Sequence, residues 1–227
     1  MKATPRRAPS SPISKLLRSN TGSTHGSKSS IHNSYRIGIG NDLHRLAPGR
    51  KLVLGGVRIP FDRGPVGHSD GDALAHAIAD ALLGAAALGD IGRHFPNTSA
   101  KWRNAPSLTF LRHVRKLLGE AGYSIVNIDA TVGLERPKLS SHIPRMRMKV
   151  AAALGTRSRQ VSIKAKTGEG VDAVGEGAAL RADAVALIEA VRQPSARELI
   201  RSLHGSLKGE PSLLELLLEE RKREKTP

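Results

Sequence analysis

The chain has 227 residues, enough for one ordinary domain with tails or at most two small ones. It has no cysteine, which excludes disulfides, zinc ribbons and thiol catalysis together, and no run approaches the roughly 18 apolar residues of a membrane-spanning helix. Its formal charge is +16, from 36 Lys and Arg against 20 Asp and Glu, but six of the basic residues stand in an acid-free stretch at 1–35, so basicity alone does not assign a nucleic-acid partner.

In chain order, residues 1–34 carry nine Ser among scattered Arg, Lys, Pro and Gly, without any apolar period. Such a leader cannot bury enough surface to offset its ordering entropy, and disorder is expected. An acid-free, Ser- and Arg-rich leader also resembles a transit peptide. A plastid-type address is therefore the alternative to a plain extension on a chain that, if bacterial, is expected in the cytoplasm.

From Tyr35 the text changes. Residues 36–40 read as a short strand that delivers Asp42 and His44 at its end. Residues 51–60 read as two short strands turning at Gly55-Gly56. Ser69, with Asp72 three residues on, reads as the capping box of a helix that buries Leu74, Ile78, Leu82 and Ala85 and ends near Gly89. A second helix is expected from Ser107 to Gly122, with Leu111, Val114, Leu118 and Ala121 inward. Then come a strand over 125–134, a helix capped by Ser141 with Ile143, Met146, Val150 and Leu154 on one face, and a strand over 161–166. A fourth helix is expected over 176–191. This order predicts one α/β (α+β) domain over 35–191, a mixed sheet with helices packed on one face. Residues 192–227 form an extension that breaks at Pro194 and Pro211, with a short Leu-rich amphipathic helix from Ser212.

Two fragments carry the chemistry. Asp42 and His44 are two apart, so on a strand both side chains leave one face. Asp72, His76 and Asp80 are four apart, a polar stripe on a helix. One carboxylate and two neutral imidazoles suit a zinc-type cation with its fourth position open, and a closed structural site would usually recruit cysteines. Taken singly, an Asp-x-His is common and a helix histidine is more often a satisfied core residue.

The surrounding text decides between these readings. Gly40-Asn41-Asp42-Leu43-His44, Leu54-Gly55-Gly56-Val57-Arg58-Ile59-Pro60, His68-Ser69-Asp70-Gly71-Asp72 through His76 to Asp80, Gly89-Asp90-Ile91-Gly92, Phe95-Pro96, Arg136-Pro137-Lys138 and Lys164-Ala165-Lys166-Thr167-Gly168-Glu169 occur in one order and spacing. Over 36–190 the chain resembles the 2-C-methyl-D-erythritol 2,4-cyclodiphosphate synthases of the non-mevalonate isoprenoid pathway. The resemblance implies a lyase that cyclises 4-diphosphocytidyl-2-C-methyl-D-erythritol 2-phosphate and releases CMP. It also implies a homotrimer of single-domain subunits with active sites between neighbours.

By resemblance Asp42, His44 and His76 are zinc ligands, and Glu169 holds a Mg²⁺ or Mn²⁺ ion bridging the substrate diphosphate. His68 and Thr167 steady the transferring phosphate, and Ser69 lies beside them. Asp90, Ile91 and Gly92 hold the erythritol hydroxyls. The loop Leu134 to Ser140, with Pro137, Lys138 and Leu139, forms the cytidine and phosphate pocket, and Lys166 and Gly168 also bind substrate. Asp72 and Asp80 stay outside the metal set, Asp72 as a cap and Asp80 as a partner orienting a ligand histidine. The chain departs from the family at Asn97-Thr98-Ser99, where acids are common after Phe95-Pro96. It also lacks the Arg usual near Gly175-Glu176-Gly177, with Ala178 in that stretch. Residues 1–35 are too short for the cytidylyltransferase fused to some members, so a single-function chain is expected.

Two other classes were weighed. A basic nucleic-acid-binding protein would need stacking aromatics or a basic helix, and the text offers neither. A scaffold that had lost its chemistry would have lost a ligand, yet all three are present. No nucleic-acid or membrane partner is expected.

Overall fold

In the computed structural model the described residues are 35–67, 69–96, 102 and 105–191. The leader at 1–34, the C-terminal extension with its expected helix, the 97–99 departure and His68 lie outside them. Among the described residues no helix is long and apolar enough to cross a membrane.

The first strand, β1 (Tyr35–Pro48), is longer than the text indicated, so Asp42 and His44 stand within it rather than at its end. Alternation sorts its side chains: Gly38, Gly40, Asp42 and His44 face inward, and Ile37, Ile39 and Leu43 face outward, 65–72% exposed. The strands β2 (Leu52–Leu54) and β3 (Val57–Ile59) form the expected hairpin at Gly55-Gly56, both at positive φ. A short strand, β4 (Arg63–Pro65), pairs with the end of β1.

The first helix, α1 (Ala73–Ala85), starts later than the Ser69 capping box predicted. Gly71 sits at φ +70°, which no helix continues through, so the cap passes to Asp72, whose Oδ1 accepts the Ala75 N–H at 3.1 Å. Most of α1 is buried all round, because it lies between the sheet and the other helices. A short helix, α2 (Ile91–His94), follows, and then α3 (Ser107–Glu120) begins where predicted. Phe110 joins Leu111, Val114 and Leu118 inside, whereas Ala121, expected inward, is exposed just past the helix end. Strand β5 (Tyr123–Gly133) leads to α4 (Ile143–Leu154), which buries Met146, Val150 and Leu154 and stops at Gly155 with φ +64°. Its cap is His142 rather than Ser141, without a side-chain bond, and Pro144 lies in its first turn. Strand β6 (Val161–Lys166) is as predicted, and α5 (Asp172–Gly175) is a single turn.

The expected fourth helix is instead a strand, β7 (Ala179–Ala190). Its Ala- and Leu-rich text has high helix propensity, but Leu180, Ala182, Ala184, Ala186 and Ile188 are buried while the residues between them are not. That period of two is a strand signal, and packing on both sides overrides propensity. The strand order is β4-β1-β7-β5-β6, all antiparallel except β5-β6. The mixed α/β architecture is therefore as predicted, with β7 near the centre of the sheet. The core lies between the sheet's inner face and α1, α3 and α4.

The two glycines of β1 set the distance between sheet and helix. A Cβ on Gly38 would lie 2.1 Å from the Ala81 carbonyl oxygen, and one on Gly40 would lie 2.1 Å from that of Ala77. Helix α1 thus rests on bare backbone, and its next residue, His76, is carried down onto β1.

Candidate active site

Asp42 and His44 rise from one face of β1, and His76 descends from the first turns of α1 between them. Asp42 Oδ2 lies 2.8 Å from His76 Nδ1, and Asp42 Oδ1 lies 3.1 Å from His44 Nδ1. All three side chains are half-buried, and each offers a ligand atom within 4.8 Å of the other two. His44 Nδ1 is buried and makes no well-formed hydrogen bond, although Asp42 Oδ1 stands 3.1 Å away. An orphaned imidazole nitrogen beside a carboxylate fits a cation as the missing partner.

Electrostatics agree with this. Burial works to raise the Asp42 carboxyl, but the two imidazoles outweigh it and hold the group down to about 2. Conversely, the Asp42 carboxylate raises the His44 imidazole above its ordinary 6.5, against burial. A rare aromatic cluster walls the site. Phe110 stacks on His76 at 5.9 Å between ring centres, and Phe95 packs on Phe110 at 4.5 Å and on Trp102 at 4.9 Å.

The helical stripe divides into separate tasks. Asp72 is fully buried and accepts the N–H groups of Gly55 at 2.8 Å and Gly56 at 2.6 Å besides its cap bond, tying the hairpin to α1. Burial pushes its carboxyl up to about 6, although the backbone amides pull the other way. Asp80, expected to orient a ligand histidine, instead accepts the Ile91 N–H at 2.7 Å. Burial raises this carboxyl too, with the carboxylates of Asp90 and Asp42 adding to the effect. Through Asp80, α1 holds the start of α2, where Asp90 and Gly92 are exposed and Ile91 is half-buried. Asp90 Oδ1 accepts the Arg93 N–H at 2.9 Å as the cap of α2. Ser69 Oγ is 3.3 Å from His76 Nε2, so it belongs to this group of residues.

The remaining candidates gather elsewhere, at the C-terminal ends of β5 and β6. Gly133 pairs with Lys166, and the Leu134 N–H donates to the Lys166 carbonyl at 2.9 Å. Pro137 and Lys138 follow on the surface, with Leu139 buried beneath them. The Thr167 hydroxyl donates to Glu169 Oε1, and Glu169 has the left-handed φ of +52° that ordinary residues rarely adopt. The Gly168 N–H donates to Glu135 Oε2 at 3.0 Å. Glu135 lies in the loop expected to form the nucleotide pocket but was not singled out, because only the fold places it across from Gly168. Strands β1 and β6 are three places apart in the sheet, about 14 Å by ordinary strand spacing. Among the described residues no hydrogen bond or ion pair joins this group to Asp42, His44 and His76.

Fold and site together define an α/β protein with an Asp-His-His triad that could hold a metal ion at the junction of sheet and helix, and a separate exposed loop cluster. The model of the YgbB family matches residues 35–189. The 2-C-methyl-D-erythritol 2,4-cyclodiphosphate synthase of Salinibacter ruber is 54% identical over 154 residues, which cover 68% of this chain and 98% of that protein. The chain belongs to the YgbB family, in company with the 2-C-methyl-D-erythritol 2,4-cyclodiphosphate synthases. Among solved structures, an IspF from Plasmodium falciparum in complex with CDP has a TM-score of 0.63 at 34% identity, with 71% of this chain and 99% of that chain covered. The bifunctional IspDF of Campylobacter jejuni has a TM-score of 0.66 at 35% identity, with 69% of this chain covered but only 42% of that longer chain.

Proposed function

We propose that this chain is a lyase that converts 4-diphosphocytidyl-2-C-methyl-D-erythritol 2-phosphate to 2-C-methyl-D-erythritol 2,4-cyclodiphosphate and CMP, the reaction for which its relatives are named. An oxygen of the substrate's 2-phosphate bonds to the β-phosphorus. The bond from that phosphorus to the bridging oxygen breaks, and CMP leaves with the electron pair. No covalent nucleophile is required of the protein. Its work is to fold the substrate back on itself and to neutralise charge.

Asp42, His44 and His76 are the residues that would hold zinc, and Glu169 would hold Mg²⁺ or Mn²⁺ at the diphosphate. Bound there, the two ions polarise the β-phosphate and offset the charge that moves to the leaving group. The Thr167 hydroxyl and His68 steady the transferring phosphate, with Ser69 beside them. Asp90, Ile91 and Gly92 take the erythritol hydroxyls, in a loop that Asp80 keeps in place. Pro137, Lys138 and Leu139, with Lys166 and Gly168, receive the cytidine and its phosphate. That assignment draws support from the CDP found in the Plasmodium falciparum relative.

Because β1 and β6 stand three places apart in the sheet, about 14 Å by ordinary strand spacing, we assign the two clusters of each site to different copies in a homotrimer. The outer sheet face supports this reading, since Ile37, Ile39, Leu43 and Val185 expose apolar surface side by side on β1 and β7. Residues 35–191 are the catalytic unit on this account, with 1–34 and 192–227 outside it.

The observation that carries the proposal is the convergence of Asp42, His44 and His76, with a buried imidazole nitrogen left unpartnered. The test is phosphorus NMR of the zinc-loaded protein with the cytidine diphospho substrate and Mg²⁺. CMP and the cyclic diphosphate should appear in equal amounts. CMP accompanied only by acyclic phosphates would show a hydrolase instead.

A further inference from the structure

On the side of His76 away from Asp42 lies a run of hydrogen bonds that the reaction above does not use. His76 Nε2 is 2.9 Å from Ser107 Oγ. The Ser107 hydroxyl donates to Asp70 Oδ1, and the Ser107 backbone N–H donates to Asp70 Oδ2 at 3.0 Å. Ser107 is fully buried at the first position of α3, and Phe110, three residues on, stacks against the same imidazole.

The directions of these bonds follow from the groups. An ionised carboxylate only accepts, so the single hydroxyl proton of Ser107 is committed to Asp70. Toward His76 that oxygen can then only accept, and Nε2 must carry the proton. Nδ1 faces Asp42 Oδ2 at 2.8 Å, on the side where a cation shared with Asp42 would lie. Ser69 Oγ, which accepts the Gly71 N–H at 3.2 Å, lies farther from Nε2 at 3.3 Å and is the weaker neighbour.

We infer that Ser107 and Asp70 are positioning residues, which fix the proton on His76 Nε2 and the plane of its ring so that Nδ1 is presented to the metal. A hydrogen-bonded second nitrogen is the usual means of fixing a ligand histidine. Here the device is a hydroxyl relayed to a carboxylate rather than a direct carboxylate contact. The consequence for zinc rests on the metal assignment proposed above. The contacts among His76, Ser107 and Asp70 do not, because the chain makes them without the ion.

The test uses the full chain labelled with ¹⁵N-histidine. In the zinc-loaded wild type, His76 Nε2 should resonate as a protonated nitrogen. Ser107→Ala removes the acceptor but keeps the N–H bond to Asp70 that caps α3. It should shift the Nε2–H resonance, speed its exchange with solvent, and weaken zinc by about 10- to 100-fold in chelator competition. Asp70→Asn, which keeps an acceptor for the Ser107 N–H, should weaken zinc in the same direction and serves if Ser107→Ala does not fold. An unprotonated Nε2 in the zinc-loaded wild type would overturn the inference, as would wild-type zinc affinity in folded Ser107→Ala. If the wild type takes up no zinc, the metal assignment fails, and the response of the His76 ring nitrogens to Ser107→Ala still decides whether Ser107 holds the ring; an unchanged spectrum would overturn the inference.

Discussion

Gly40→Ala tests how β1 builds the site. The added Cβ would lie 2.1 Å from the Ala77 carbonyl oxygen and 2.6 Å from the Ala81 amide nitrogen, whereas ordinary contact begins at 3.4 Å. Both neighbours are backbone, so no side chain can swing away, and α1 must retreat by about 1.3 Å. His76 precedes Ala77 and moves with it, away from Asp42 and His44. Metal coordination tolerates displacements of only about 0.2 Å, so zinc should be lost well before the fold is. Overpacking of this kind costs about 1–3 kcal/mol, or roughly 2–12 °C in Tm for a domain of this size. Gly84→Ala is the control. On the same helix its Cβ would meet only the Ile39 carbonyl oxygen at 3.9 Å, and replacing a helical glycine gains up to about 1 kcal/mol. Metal analysis and thermal melts on both variants make the comparison. Full zinc occupancy with a wild-type melt in Gly40→Ala would refute the claim that bare backbone contact sets the ligand geometry.

The other predictions concern the buried acid, the sheet face and the ligand set. Asp72 has its carboxyl raised from an ordinary 3.8 to about 6, chiefly by burial, so the folded chain binds that proton more tightly than the unfolded one. Its contribution is full below pH 3.8 and is lost as pH rises through 6. The stability of wild type relative to Asp72→Asn should therefore decline across that window in melts taken at a series of pH values. A difference that grows instead would show that the three amide donors outweigh burial. Ile39→Asp places a charge in the centre of the outer sheet face and should dissociate the oligomer, which light scattering reads as a fall from three chains of 24.2 kDa to one. An unchanged mass would remove that face from the interface. His76→Ala should abolish bound zinc and cyclisation while its melt stays close to that of zinc-free wild type. Retained zinc with a large loss of stability would mark a core histidine.

What could be read from the text was what depends on local period. The two-residue spacing of Asp42 and His44 put both on one face of β1, and the Gly-Gly hairpin, α3 and β6 fell where turn and cap chemistry placed them. Signals with two solutions were misread. The stretch at 179–190 satisfies helix propensity and strand alternation alike, and only the pairing with β1 and β5 decides for the strand. Ser69 has a capping box's spacing, but Gly71 at positive φ hands the cap to Asp72. The regular spacing of Asp72, His76 and Asp80 implied one polar stripe, while the fold gives each a different partner. Ser107 and Asp70 were illegible together, since they are 37 residues apart and meet only when α3 docks beside α1.

On the shared-site arrangement proposed above, the zinc cluster of one copy works with the Glu169 cluster of another. His76→Ala and Glu169→Ala should each be inactive alone, because each ruins one half of every site. When the two are co-assembled in equal amounts, a cyclic trimer pairs an intact zinc half with an intact Glu169 half at about one site in four. CMP release should then return to about a quarter of the wild-type rate. A mixture no more active than its parents, with exchange of subunits verified by mass, would contradict the claim and place both halves of the site within one chain.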